Sequence, residues 1–155
     1  MDTCIPFSIK KNTFFLFIKS NIDVLENSKP YDFIFIPKIP IRLCDGDWGL
    51  TLLSLLDTGK TKKDNSTSVI YVLCDLCEDS YIEGSFKPLL RKFSIKQHTD
   101  DYVNYEDYAT QWCVPIRPTK EIHCIHLALY KENLTGTAAF LKGPVICSLR
   151  FDKFQ

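Results

Sequence analysis

Two closely spaced pairs of side chains could bind a metal ion. Cys74 and Cys77 form a Cys-x-x-Cys pair, and His123 and His126 form a His-x-x-His pair. Thiolate sulfur and imidazole nitrogen are ligands that zinc prefers, but they must converge within about 2.3 Å of one point. On a β-strand, residues three apart point to opposite faces. We therefore predict that no metal is bound, that the cysteines fill apolar space, and that the histidines lie at the surface or the core edge.

A second candidate for chemistry is the triplet Asp57-Thr58-Gly59, which follows a hydrophobic run. It is similar to the active-site triplet of retroviral-type aspartic proteases, in which two carboxylates, one from each subunit, share a proton. The similarity is short, and no matching downstream hydrophobic-hydrophobic-Gly element follows. We therefore expect the triplet to be a strand that ends in a turn, and we predict no catalytic residue.

A tyrosine-rich acidic segment, TDDYVNYEDYAT, is the one long irregular stretch of the chain. Tyr102, Tyr105 and Tyr108 lie in it among four acidic residues. Tyrosine supplies contact area at a low cost in side-chain entropy, and loops on rigid sandwiches commonly bind partners. The segment is a candidate partner-binding loop, and a solvated surface loop is the alternative interpretation.

The composition favours strands and argues against nucleic acid or a membrane as a partner. The chain has 155 residues, and its 19 basic and 19 acidic residues cancel, so no long-range field attracts phosphate backbones or anionic lipid. Eleven Phe and seven Tyr contribute to an aromatic share of 13%, and aromatic residues suit strands better than helices. Seven cysteines without a visible secretory signal predict reduced thiols in a cytosolic or nuclear setting.

Eight segments are predicted to be strands, because each is a short apolar or alternating run bounded by turn-forming residues. Pro37 and Pro40 interrupt the second segment, which predicts an edge strand or a kink. In the third segment, Trp48 and Leu52 are predicted to share a face in the core. In chain order the segments are TFFLFIKSN, YDFIFIPKIPIRL, WGLTLLSLL, SVIYVLCDL, LLRKFSIKQ, QWCVPI, EIHCIHLALY and VICSLRF.

The pattern of apolar residues predicts how each strand is covered. FFLFI and LTLLSLL are apolar on both faces, so both strands are predicted to be central and covered twice. Two later strands alternate, and one face of each is predicted to be apolar while the other meets solvent. Those apolar faces are Val145, Cys147, Leu149 and Phe151 in one strand, and Trp112, Val114 and Ile116 in the other.

Eight strands joined by turns predict an all-β fold, an eight-stranded antiparallel sandwich of two sheets. A single jelly roll is the eight-stranded version, although the pattern alone fits other sandwiches as well. No internal repeat, low-complexity tract or interdomain linker is visible, so residues 1–155 are predicted to form one domain.

Three parts of the chain, in this order, resemble the penton, or minor capsid protein, of Polinton (Maverick) elements and adintovirus-like viruses. The first is an aromatic-rich strand that leads to YDFIFIPKIPIRL and then to WGLTLLSLLD. The second is VIYVLCDLCEDSYIEGSFKPLLRKFSI, and the third is AAFLKGPVICSLRF. The positions that carry the family pattern are Trp48, Asp75, Gly84, Pro88, Leu89, Leu90, Arg91, Phe140 and Gly143.

The resemblance implies a structural protein without catalytic residues or cofactors. It implies a single jelly roll that assembles with itself as a homopentamer at capsid vertices and contacts the major capsid protein. The protein would then belong to the virion capsid, assembled in the host cytoplasm or nucleus. A chain of 155 residues suffices for one jelly roll, whereas a major capsid protein of this class needs two. The chain also lacks the basic arm with which many capsid proteins hold nucleic acid.

Two alternatives from other classes remain open. One is the dimeric aspartic protease built on Asp57. The other is a host intracellular β-sandwich module that binds a peptide or a small ligand, for instance through the tyrosine-rich segment. That module predicts a monomer with a concave pocket.

Overall fold

Fourteen β-strands and no α-helix form in the part of the chain that the structure describes. The structure is a computed structural model, and it describes residues 8–9, 12–59, 69–94, 104–106, 112–131, 134, 136–139 and 141–154. The strands are β1 (Ser8–Ile9), β2 (Thr13–Lys19), β3 (Asp32–Phe35), β4 (Ile41–Leu43), β5 (Trp48–Asp57), β6 (Val69–Cys74), β7 (Ser80–Ile82), β8 (Ser85–Lys87), β9 (Leu89–Ser94), β10 (Asn104–Glu106), β11 (Val114–Pro115), β12 (Glu121–Ile122), β13 (Ile125–Lys131) and β14 (Val145–Lys153).

Two large antiparallel sheets form a β-sandwich. The five-stranded sheet has the order β10-β5-β14-β2, and β11 pairs with another part of β5. The four-stranded sheet has the order β3-β13-β6-β9. The predicted all-β sandwich with antiparallel sheets is therefore confirmed.

The strand pairs are nested along the chain. The early strand β2 pairs with the last strand β14, β3 pairs with β13, β5 pairs with β10 and β11, and β6 pairs with β9. Each of these pairs encloses the next one in sequence. Two further pairs, β14 with β5 and β13 with β6, join this folded ribbon into the two sheets.

The two sheets are aligned at the end where β9 and β10 meet. Tyr105 in β10 stacks on Phe93 in β9 with ring centroids 4.8 Å apart, and its hydroxyl accepts a hydrogen bond from Arg91 Nε at 3.0 Å. In the strand orders above, β9 and β10 are the terminal strands of their sheets. The opposite end of the sandwich is therefore formed by β2 and β3.

The core between the sheets is built mainly from alternate side chains. The inward residues of β14 are all buried, as their alternation predicts: Val145, Cys147, Leu149 and Phe151. Phe14 of β2 stacks on Phe151 with centroids 4.6 Å apart and meets Trp48 edge-on at 5.7 Å. Aromatic pairs in these geometries add to the stabilisation from burial alone.

A β-bulge in β5 changes which residues face the core. The register with β14 shifts so that Leu53 is an extra residue. Trp48 and Leu52 face the core before the bulge, which confirms the prediction for both, and Leu55 and Asp57 are buried after it. A strand without the bulge would direct Asp57 to the outer face, because side chains alternate strictly along an unbroken strand. The bulge therefore turns this carboxylate inward.

The prediction of two doubly covered strands is right for β5 and wrong for β2. On the outer face of β5, Thr51 and Leu53 are buried. The strand β2 instead ends its sheet, and 53% of Phe15 and 69% of Phe17 are exposed. The strand β2 lies at the end of the sheet because it pairs with β14, which is distant in sequence. The composition of β2 itself does not determine this position.

Two of the predicted segments each divide into two strands. The residues between β3 and β4 include Pro37 and Pro40, which cannot donate ladder hydrogen bonds, and the chain leaves the four-stranded sheet there. The segment EIHCIHLALY likewise divides into β12 and β13. Strands β1, β4 and β12 form a separate three-stranded sheet.

The predicted apolar face of QWCVPI is only partly buried. Val114 and Ile116 lie in the core, but 56% of Trp112 is exposed. The strand β11 covers only Val114–Pro115, so Trp112 precedes the ladder and its direction is not set by strand alternation.

Candidate interaction surfaces

The triplet Asp57-Thr58-Gly59 joins the end of β5 to the segment before β14. Asp57 is fully buried, and its Oδ1 accepts hydrogen bonds from the backbone N–H groups of Gly59 at 3.2 Å and Gly143 at 2.8 Å. The Thr58 hydroxyl donates to the carbonyl oxygen of Pro144 at 2.7 Å. A Cβ on Gly143 would overlap the backbone nitrogen of Gly59, which explains why this position is a glycine. This geometry suits a carboxylate that fastens two chain segments rather than one that activates water.

Cys74 and Cys77 lie together in the core. The strand β6 ends at Cys74, the chain turns, and the N–H of Cys77 donates to the carbonyl oxygen of Cys74 at 3.0 Å. The hydrogen bond between the two side chains, together with burial, holds the pKa of the Cys74 thiol well above its usual range. The argument that spacing puts them on opposite faces was wrong, because the strand stops at Cys74. The prediction that both thiols fill apolar space is confirmed.

The two histidines lie outside the core, as predicted. His123 is exposed, with Nε2 3.7 Å from Glu121 Oε1. His126 is half-buried in β13, and its Nε2 lies 2.6 Å from Asp32 Oδ1. Among the described residues, no group of three or more His, Cys, Asp or Glu side chains is placed to hold a metal ion.

A third buried thiol, Cys147, points inward from the middle of β14. Burial raises the pKa of this thiol to about 12. A protonated thiol is a poor nucleophile, because the thiolate is the reactive form. Cys147 therefore acts as a small apolar residue of the core.

Several of the residues on which the resemblance rests connect the end of β6 to its neighbours. Asp75 Oδ1 accepts a hydrogen bond from the backbone N–H of His126 at 2.9 Å. The carbonyl oxygen of Pro88 accepts one from the last residue of β6 at 3.0 Å. Leu89 is half-buried and Leu90 is fully buried in the core. Phe140 lies outside the described residues.

Strands β7 and β8 form a hairpin, here called the aromatic hairpin (Ser80–Lys87), that sequence reasoning missed. Its two-residue turn has φ values of 47° at Glu83 and 82° at Gly84, a left-handed pair that matches the twist of a tight hairpin. Tyr81 and Phe86 pair across it with centroids 5.2 Å apart, and 67% and 68% of them are exposed. The Glu-Gly turn between two aromatic-containing triplets was the available signal.

The aromatic hairpin is anchored to the outer face of β6. The hydroxyl of Tyr71 donates to Glu83 Oε1 at 3.0 Å, and Tyr71 is buried although it lies outside the core between the sheets. Lys92 Nζ lies 5.6 Å from the centroid of the Tyr71 ring. The hairpin therefore lies near the β6 and β9 end of the sandwich.

A cationic and aromatic cluster, here called the Arg91 cluster, lies where β9 meets β10. Arg91 donates to Tyr105 and lies 5.3 Å from the centroid of the Trp112 ring. Guanidinium groups over aromatic rings are attracted by the ring quadrupole. Of the three tyrosines in the candidate loop, Tyr105 thus contacts Arg91, and Tyr102 and Tyr108 lie outside the described residues.

The second exposed aromatic surface, here called the β2 face, consists of Phe15 and Phe17 on the outer side of β2. Within the described part of the chain, β2 pairs with β14 alone. Natural edge strands are usually protected by charge, proline or bulges. The strand β2 carries five consecutive apolar residues, and Lys19 at its end is its one charged residue.

A cleft of about 340 Å³ lies between the β4–β5 turn and residues 116–120. Four of its lining residues are charged: Asp45, Asp47, Arg117 and Lys120. Arg117 is already paired with Asp79 at 2.8 Å. A small-molecule site needs a few polar groups that are free to fix the ligand's orientation, and the pairing of Arg117 with Asp79 leaves the cleft without specific support for the ligand-binding alternative.

No family model matches the sequence, and no curated protein matches it. In the described part of the chain, no helix is long and apolar enough to cross a membrane.

Proposed function

We propose that this chain is a structural capsid protein, the penton of a Polinton-like or adintovirus-like virus, and that its fold is a single jelly roll. In this proposal it is not an enzyme. It assembles with itself as a homopentamer and with the major capsid protein, and it resides in the virion capsid.

The nested strand pairing is the observation that carries the proposal. Counting β10 and β11 as two parts of one strand, because both pair with β5, leaves eight strands in the two large sheets. They then pair first with eighth, second with seventh, third with sixth and fourth with fifth. A ribbon of this kind rolled into two sheets supports the jelly-roll fold, and viral capsid proteins use that fold. Fold alone does not imply function, so the sequence resemblance supplies the remaining support.

The exposed aromatic surfaces support an assembly role. A single exposed apolar residue needs no explanation, but clustered aromatic residues mark interaction surfaces. Here the β2 face and the aromatic hairpin each present two large aromatic side chains. In an assembled shell, neighbouring subunits would cover such surfaces, so their exposure in the isolated chain is compatible with the proposed role.

The balance of charge suits contacts that depend on apolar burial. The 19 basic and 19 acidic residues leave no net charge to hold nucleic acid. Salt is therefore expected to change the assembly little, since screening acts on charge and not on apolar contact. Assembly that disappears between low and high salt would contradict this part of the proposal.

The protease alternative gains no support from the geometry of its residue. Asp57 is buried, and its Oδ1 accepts hydrogen bonds from two backbone N–H groups. A shared-proton dyad instead requires the carboxylate to meet a second one from a partner subunit and to contact substrate.

The decisive experiment is co-expression with the major capsid protein of the same element, followed by electron microscopy of the particles. We expect fivefold vertices that contain this chain, and open vertices when it is left out. Native mass spectrometry at micromolar concentration reports its own assembly state. A strict monomer that never enters particles would overturn the proposal.

A further inference from the structure

The turn that follows β6 brings two thiols together. Cys74 and Cys77 occupy the first and fourth positions of this turn, and the N–H of Cys77 donates to the carbonyl oxygen of Cys74 at 3.0 Å. The first and fourth Cα atoms of a turn lie within about 7 Å of each other. Both side chains are fully buried in the same core cluster, and they are hydrogen-bonded to one another. The two sulfur atoms are therefore neighbours in the folded chain.

A disulfide needs a placement of this kind. The Cα atoms of a disulfide are usually about 4.4–6.8 Å apart, and the Cβ atoms must point towards each other. The turn brings the Cα atoms of Cys74 and Cys77 close, and the hydrogen bond between the thiols shows that the side chains point towards each other. Cys147 differs, because burial raises the pKa of its thiol, whereas at Cys74 the hydrogen bond to the neighbouring thiol raises the pKa most.

Hydrogen bonds to other parts of the chain hold the turn in position on both sides of the pair. The N–H of Cys74 donates to the carbonyl oxygen of Pro88 at 3.0 Å. Arg117 donates through its backbone N–H to the carbonyl oxygen of Leu76 at 2.8 Å and through Nε to that of Cys77 at 2.9 Å. Because the backbone is already fixed, a bond between the two sulfur atoms requires only rotation of the two side chains.

We propose that Cys74 and Cys77 form a disulfide in the folded protein when a small-molecule disulfide is the oxidant. This inference goes beyond the proposed function and does not depend on it. One protein thiolate attacks the small disulfide, which releases one small thiolate and leaves a mixed disulfide. The second protein thiolate attacks the protein sulfur of that mixed disulfide and releases the other small thiolate. Two electrons pass from the protein to the oxidant, and the two protons of the protein thiols pass to the released thiolates.

The state of the pair follows the redox state of its surroundings. In a reducing cytosolic or nuclear setting the pair remains a dithiol, and in an oxidising setting it closes to the disulfide. The pKa of Cys74 is raised by its hydrogen bond to Cys77 and by burial, so little of this thiol is present as the reactive thiolate. Exchange with a solute therefore requires a brief opening of the turn. For this reason the test below compares equilibria and not rates.

Refolding in glutathione buffers measures how strongly the fold favours this bond. The full chain is refolded from urea in mixtures of reduced and oxidised glutathione, and a parallel sample stays unfolded in urea in the same mixtures. Free thiols are then blocked in denaturant, and the chain is cut on the N-terminal side of aspartate. This cut separates Cys74 from Asp75, so the peptides that carry Cys74 and Cys77 stay joined only through a disulfide. Mass spectrometry counts the joined and separate peptides.

We expect the disulfide to be favoured about 20-fold more in the folded protein than in the unfolded chain, the factor that the chain-entropy relation gives for a four-residue loop. By linkage, oxidation should lower the equilibrium constant for unfolding by the same factor. Cys147→Ala is the matched control, because it removes a buried thiol from the same core and leaves the pair intact. In this variant the bond should form as in the wild type, whereas Cys77→Ala should give no joined peptides.

Three outcomes would overturn the inference. The first is a folded protein in which Cys74 and Cys77 are joined no more readily than in the unfolded chain. The second is a disulfide that joins either of them to another cysteine. The third is an oxidised protein that unfolds more easily than the reduced one, which would mean that the native turn strains the bond. The main comparison uses the wild type in two states, so it holds even if a variant fails to fold.

Discussion

Strands β2 and β5 belong to the same sheet and have similar apolar sequences, yet their outer faces differ. Thr51 and Leu53 on β5 are buried, whereas most of Phe17 on β2 is exposed. The strand β5 has β14 on one side and β10 and β11 on the other. A Cβ on Gly49 of β5 would also overlap Cys113 Sγ, so the segment before β11 covers its outer face.

The difference teaches that burial of an outer face is a property of the neighbours and not of the strand. An apolar outer face that the fold covers contributes to the stability of the subunit. An apolar outer face at the end of a sheet can contribute only when another molecule covers it. The comparison therefore assigns stability to the outer face of β5, and the proposed assembly role is what gives the exposed outer face of β2 a use.

The largest effect is expected on the inner side, where both strands meet. Trp48→Ala should lower the free energy of unfolding by about 3–5 kcal/mol, because it removes a buried aromatic ring that contacts Phe14. Urea denaturation measures the loss. The measurement is repeated over a range of protein concentrations, so that any contribution of subunit association to stability is recognised. A loss below about 1 kcal/mol would show that the register of β5 is wrong.

The end of β5 gives the next test. Asp57→Ala should lower the free energy of unfolding by about 2–4 kcal/mol, because two backbone N–H groups lose their acceptor in a buried site. Asp57→Asn keeps one acceptor oxygen and should cost less. The same proteins are tested for peptide cleavage. A fully stable Asp57→Ala protein that has lost a cleavage activity would favour the protease instead.

The outer face of β5 is tested by Leu53→Ala. We expect a loss of about 2–3 kcal/mol in the free energy of unfolding, as for other buried leucines. Thermal and urea denaturation should agree on it. A negligible loss would show that this face is not covered, and the contrast with β2 would fail.

The smallest effect on stability is expected on the β2 face. Phe17→Ser should change the free energy of unfolding by less than about 0.5 kcal/mol, because the side chain is largely exposed. The proposed assembly role further predicts that the same substitution weakens self-association. A large loss of subunit stability would mean that Phe17 is covered within its own subunit.

The candidate site was harder to predict than the fold. The sequence placed Tyr105 in a binding segment, and the structure ties it to Arg91 through a hydrogen bond. The aromatic hairpin was missed, because its strands have three residues each and their turn is Glu-Gly rather than Asn-Gly. Phe15 and Phe17 were expected in the interior, because periodicity cannot distinguish a central strand from a terminal one.

What the sequence determined by itself is local. Alternation in β14 assigned Phe151 to the core, and the Asp-Gly-Asp turn at 45–47 set the start of β5, so that Trp48 was placed correctly. Side chains alternate along a strand with a period of two residues, so a short stretch of sequence is enough to show which residues share a face. The tertiary structure alone decided that β2 ends its sheet and that the bulge at Leu53 turns Asp57 inward. Both features depend on pairing with β14, which lies far from β2 and β5 along the chain. A local sequence pattern does not specify which distant strand will pair with it.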